Sequence, residues 1–172
     1  FNLYKESPQY KEINEGMSMS EFKYIYYWEY VHRLWARLMG FVFIIPFIFF
    51  YVKKRLSSDL LKNLIVVFSL ATIAAVFGWI MVASGLISRP WVNAYKLSFH
   101  LILGFSVFIY LLLTFINYVY KDRKSNLVLN FNNVSIIIVL LWIQIFLGGA
   151  VSGMKSAVMF PTWPDMNGEF VP

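Results

Sequence analysis

The sequence predicts an all-α, polytopic membrane helix bundle: four transmembrane helices, preceded by a helical N-terminal segment outside the membrane. Three observations carry this. Of the 172 residues, 59% are hydrophobic and only 14% are charged, whereas a soluble domain carries roughly 25% charged residues. The apolar residues gather in runs near 34–52, 64–86, 97–120 and 134–150, each close to the ~20 residues needed to cross a bilayer. The basic residues fall in short clusters between these runs, as topology signals do. The net charge of +6 is not collected on one face or in one long run, so a nucleic-acid partner is not expected. The chain has no cysteine, which removes disulfides, thiolate ligands and thiol redox chemistry from the candidates.

Taken in order, residues 1–23 are polar and read as an extracytoplasmic loop with short helices. Ser7 followed by Pro8 is a helix start, an N-cap and then proline at the first helical position, and Gly16 is the expected stop. Ser18-Met19-Ser20-Glu21 reads as a capping box. A helix can run from there through Tyr24, Tyr26, Tyr27, Trp28 and Tyr30, a headgroup-level aromatic belt, into the first span. Pro46 lies inside that span, where a membrane helix tolerates a kink. Lys53-Lys54-Arg55 ends it. The second span carries no charge between Asn63 and Ser88 and contains Gly78-Trp79-Ile80-Met81. Arg89-Pro90-Trp91 leads to the third span, which Lys121-Asp122-Arg123-Lys124 closes. The transmembrane region is therefore 24–150, and 151–172 is a second extracytoplasmic loop. The chain starts at Phe1 instead of methionine, shows no basic n-region or cleavage site, and closes in a loop-like stretch at Val171-Pro172, which suits a piece of a longer protein.

Loop charges orient the bundle. Lys53, Lys54, Arg55, Lys62, Lys121, Arg123 and Lys124 lie on one side, and Arg89, Lys96 and Lys155 lie in the loops of the other. The first set is expected in the cytoplasm or its mitochondrial equivalent. Spans one and three then both enter from outside and run parallel.

The residues of greatest interest are Tyr27-Trp28-Glu29-Tyr30-Val31-His32-Arg33-Leu34-Trp35-Ala36-Arg37, at the mouth of the first span. His32 is 21 residues before Lys53, and His100, the only other histidine, is 21 residues before Lys121. At 1.5 Å per residue each imidazole is roughly 31 Å from the far boundary, about one hydrocarbon thickness. On parallel helices the two rings share one depth and can hold one metal. Two histidines without cysteine suit haem iron better than zinc, which takes about four ligands. The plainer alternative is two polar residues hydrogen-bonded near the interface. His32, Ala36 and Gly40 form one stripe, and His100 and Gly104 repeat its first step; small residues there leave flat space for a macrocycle edge or serve ordinary helix packing. The glycines of Gly149-Ala150-Val151-Ser152-Gly153 read as packing. Glu29 shares a face with His32. It is either a carboxylate beside a redox centre or a partner for Arg33. Arg33 and Arg37 suit porphyrin propionates or lipid phosphates.

Glu29-Tyr30-Val31-His32-Arg33, with Arg37 and Gly40, resembles the E-x-x-H-R signature of haem A synthases. Phe1-Asn2-Leu3-Tyr4-Lys5-Glu6-Ser7-Pro8, Gly16-Met17-Ser18, Gly78-Trp79-Ile80-Met81-Val82, His100-Leu101, Gly148-Gly149 and Pro161-Thr162-Trp163-Pro164-Asp165-Met166-Asn167-Gly168 continue the resemblance in family order. The ordered set covers essentially the whole chain and points to the mitochondrial-type branch. The resemblance implies an eight-helix fold in two similar halves, of which this chain matches the second to fifth helices. It implies an integral protein of the bacterial plasma membrane or mitochondrial inner membrane that oxidises the position-8 methyl of haem O to a formyl. His32 and His100 would then be the metal-binding pair of the first half, with Arg33 and Arg37 as cofactor-binding residues and Glu29 as the catalytic carboxylate. Haem B would occupy the second half. The implied surroundings are the lipid bilayer, with a haem O synthase, an electron donor and a second copy of the chain as candidate partners. Some relatives carry an outer-loop cysteine pair, which this chain lacks. A two-histidine membrane cytochrome that carries electrons is the alternative function, and a polytopic protein without cofactor is the third.

Overall fold

The computed structural model describes residues 1–85, 90–120, 131–162 and 164–170, with backbone alone at 84–85 and 131–134. Seven helices account for most of them: α1 (Asn2–Lys5), α2 (Pro8–Glu12), α3 (Met19–Val52), α4 (Ser58–Gly85), α5 (Ala94–Val119), α6 (Phe131–Gly153) and α7 (Ser156–Met159). Four of these, α3 to α6, are long and apolar enough to cross a membrane. The all-α, multi-span expectation therefore holds. Arg89, Lys121, Arg123 and Lys124, which bear on the orientation, and Trp163 of the terminal motif lie outside the described residues.

The helix starts follow their caps. The Ser7 hydroxyl accepts the Tyr10 N–H, with Pro8 at the first helical position. At Ser18 both halves of the capping box form: Ser18 Oγ accepts the Glu21 N–H, and Glu21 accepts the Ser18 N–H at 2.8 Å. Asn93 caps α5 by accepting from the N–H groups of Tyr95 and Lys96. Gly16 does not end α2, which stops at Glu12. Instead Gly16, with φ of 81°, is the third residue of a turn closed by Met17 N–H to the Asn14 carbonyl at 3.0 Å. Only a residue free of Cβ adopts that φ without strain. The residues before α3 are more ordered than their polarity suggests. Phe1 and Tyr4 each lie 5.0 Å from Phe22, and Asn14 donates to the Tyr4 hydroxyl at 2.7 Å. These contacts seat the N-terminal segment on the first turns of α3.

α3 is one continuous helix of 34 residues, about 51 Å long, so it extends beyond a hydrocarbon layer of roughly 30 Å. Pro46 does not end it. Its C-terminus closes in a Schellman arrangement. Lys54 takes the left-handed conformation, Arg55 N–H reaches the Phe50 carbonyl, and Lys54 N–H reaches that of Tyr51. After that turn the Ser57 hydroxyl accepts the Leu60 N–H and starts α4. Phe43 stacks on Phe68 at 6.2 Å, joining α3 to α4.

The tightest packing lies among α4, α5 and α6. Few side chains there are fully buried, and they are small: Val67 and Ala74 on α4, Ser98 and Thr114 on α5, and Ala150 on α6. The Ser98 and Thr114 hydroxyls donate to carbonyls four residues back, Ala94 and Tyr110, so neither of these buried hydroxyls is left unpaired. Large apolar side chains point outward along all four spans, as lipid-facing surfaces do. α5 and α6 cross antiparallel through small residues. A Cβ at Gly149 would sit 2.8 Å from Ser98 Cα, and one at Gly153 would sit 2.6 Å from Ala94 Cα. Packing is therefore what these glycines do, as their spacing indicates. Gly149→Ala should lower stability by about 1–3 kcal/mol through overpacking against backbone. Gly148→Ala, where a Cβ meets nothing within 4 Å, should be neutral or stabilising by about 0.5–1 kcal/mol. Thermal denaturation of the two variants in one detergent checks the contrast.

The last stretch is also built. α6 runs to Gly153, three residues past the expected end. Lys155, left-handed at φ 57°, starts α7 and places its ammonium 5.0 Å from the Trp91 ring. Asn167 and Gly168 both have positive φ, and the flanking Met166 and Glu169 exchange backbone hydrogen bonds. That is the I′ geometry for which Asn-Gly is suited. Asn167 Nδ2 donates to the Met159 carbonyl, and its N–H donates to Thr162 Oγ1 at 2.7 Å. The stretch after α6 is thus a structured loop over the described residues.

Candidate functional site

The candidate residues lie on two elements: the N-terminal half of α3, and α5 where it packs on α4. On α3, Glu29, Arg33 and Arg37 form one stripe at a spacing of four, and His32, Ala36 and Gly40 form the next. Glu29 is engaged: Arg33 Nε donates to its Oε1 at 3.1 Å and Nη2 donates to the same oxygen. The two side chains are 51% and 47% exposed. An exposed pair four residues apart contributes only about 0.3–0.5 kcal/mol, so this tether is weak. His32 and Arg37 are exposed.

His100 is half-buried and rests on α4. An ideal Cβ at Gly78 would lie 2.8 Å from its Cε1, 3.2 Å from Nδ1 and 3.4 Å from Nε2. Those distances put the missing Cβ above the plane of the imidazole at its Cε1 edge. The ring therefore occupies, at that edge, the space a side chain on α4 would take. Its Nδ1 is the one buried side-chain polar atom without a hydrogen-bond partner among the described residues. Such an atom costs about 1–3 kcal/mol and calls for an explanation, a missing ion among them.

Among the described residues the histidine-bearing helices α3 and α5 share no extensive packing, so helix contact alone does not join the two rings. Their levels can still be compared by counting along α4. α4 and α5 run antiparallel, since Gly78 meets His100 and Asn63 meets Tyr110. Phe43 meets Phe68 on the other side, after a turn of only five residues. Eleven residues before Phe43 is His32, and eleven after Phe68 is Trp79. By this count His32 is level with Trp79 and His100 with Gly78. Direct helix contact needs axes about 8–10 Å apart, and two imidazoles that share one metal hold their helices farther apart than that.

The glycines divide by role. Gly149 and Gly153 are filled by α5, and Gly78 by the His100 ring. At Gly40 and Gly104, each on the stripe of one histidine, a Cβ would meet nothing within 4 Å. These two do not serve helix packing here. Among the described residues no three of His, Cys, Asp and Glu come together as a metal cluster. An ion held by this pair would need its remaining ligands from elsewhere, as a macrocycle supplies them. The unpaired imidazole nitrogen, the common level and the open stripes fit a haem.

The model of the cytochrome oxidase assembly protein family matches residues 1–172, the whole chain. The chain belongs to this family. A protein named heme A synthase from Wolbachia of Brugia malayi is 40% identical over 98% of this chain and 51% of its own length. Proteins of the same name from Parvibaculum lavamentivorans and Flavobacterium johnsoniae are 39% and 37% identical, over 100% and 99% of this chain. The chain spans about half the length of these relatives. No solved structure matches it. Spacing alone does not reveal the role of one residue. Gly78 stood out only as part of a shared motif, and nothing in its own span marks it as the seat of His100. Its partner lies 22 residues away on another helix.

Proposed function

We propose that this chain is the first-half core of a haem A synthase, which oxidises the position-8 methyl of haem O to a formyl for cytochrome oxidase. The observation that carries this reading is the full-length match to the family and to relatives of that name. The geometry supports it through the two histidines at one level and the unpaired Nδ1 of His100. In this reading haem O is the substrate, and His32 and His100 hold its iron. Arg33 and Arg37 are positioned to pair with its propionates. Glu29 acts where positive charge or a proton must be handled beside the methyl. When bound, the haem supplies the redox-active iron. The chain contributes ligation, orientation and a carboxylate that exchanges its weak Arg33 tether for the substrate. The aromatic belt and the N-terminal segment lie at the outer end of α3, above that site.

A two-histidine electron carrier is the competing reading, because iron closed on both faces suits electron transfer. Pigment extraction from the purified full-length protein separates the two. Haem O, its alcohol and haem A should co-purify in a synthase. Haem B alone, with no trace of the other three, would overturn the assignment in favour of a carrier. Absence of any Soret band would overturn both.

A further inference from the structure

We propose that Gly78 is a positioning residue. By carrying no Cβ it lets the Cε1 edge of the His100 imidazole come close against α4, and so sets the rotation of the ring about its bond to the iron. The proposal rests on the reading of His100 as a haem ligand. The ring edge fills the space that a side chain at Gly78 would need. A methyl group at 2.8 Å from Cε1 and 3.2 Å from Nδ1 is closer than van der Waals contact allows, so the ring must turn or lift. The neighbouring packing narrows its choices. Ser98, two residues before His100, is fully buried against Gly149. Phe99 is held between Phe77 and Phe146. These contacts on the α6 side resist a shift of α5, and the side-chain ring gives way more readily than packed backbone, so the strain falls on the imidazole.

A ligand ring that turns about the iron–nitrogen bond changes the splitting of the iron d orbitals. In a ferric centre with two imidazoles this shifts the low-spin electron paramagnetic resonance signal, even when both ligands stay bound. Gly78→Ala in the full-length, haem-loaded protein should move that signal for the first-half haem. Gly149→Ala should lower thermal stability and leave the signal of the remaining folded protein in place, because its clash is with Ser98 and not with a ligand. Gly148→Ala should do neither. An unmoved signal in Gly78→Ala, with pigment content unchanged, overturns the proposal.

A second measurement needs no haem. In haem-free protein, Gly78→Ala should lower the thermal midpoint when His100 is present and not in the His100→Ala background, where the new methyl meets no ring. Equal losses in both backgrounds would show that Gly78 acts on the helix and not through His100, and would overturn the proposal. The ligand assignment fails separately: it is wrong if His100→Ala keeps its full first-half pigment, whatever Gly78→Ala does.

Discussion

Replacing His100 by alanine in the full-length protein is expected to abolish haem A formation, at least about 100-fold, while the fold survives. Metal sites lose 10–100-fold when an outer partner of a ligand is removed, and loss of the ligand itself should exceed that. Stability should suffer little. The ring is half-buried and carries an unpaired Nδ1, so its removal relieves an unsatisfied polar atom while leaving a small void. His32 is exposed, and His32→Ala should change stability by no more than about 0.5 kcal/mol. Haem A per milligram of purified protein, read beside the thermal midpoint, checks both variants. Wild-type haem A content in either one would refute that residue as a ligand.

Glu29→Gln should keep the pigment and lose the conversion, by about 10²–10⁴-fold if the carboxylate handles a proton. The substitution preserves size and removes charge. Its structural cost is limited to the exposed pair with Arg33, about 0.3–0.5 kcal/mol. A fall in the extracted ratio of haem A to haem O, at constant total haem, is the expected result. Full conversion would leave Glu29 as an ion-pair partner of Arg33 and nothing more.

Much of the fold is legible in the sequence because its signals are local. Ser7-Pro8 and the Ser18/Glu21 box act within four residues. The spans are set by uninterrupted apolar length, which water and lipid read in the same way at every position. Gly149 and Gly153 announce a close crossing by their spacing alone. Asn167-Gly168 is a turn signal of the same local kind, and the structure forms that turn. Gly16 misleads because glycine serves a helix stop and a turn equally well. The decision fell to Ile13, which ends α2 earlier.

The site is legible only in part, for a different reason. The depth shared by His32 and His100 follows from counting, since helices convert residue number into distance. What each ring touches does not. The seat of His100 depends on how α4 and α5 are rotated against each other, which long-range packing decides. The pairing of Glu29 with Arg33 was one of two readings that spacing allows, and it is the one this structure contains. It occupies the carboxylate without committing it, because the tether is exposed and weak.

The central claim is that one iron lies between His32 and His100. The most direct test is an experimental structure of the full-length protein loaded with haem O. The expected result is an iron within bonding distance of one ring nitrogen from each histidine, with the macrocycle edges passing Gly40 and Gly104. An iron ligated by other residues, or rings that face away from a common centre, would contradict it.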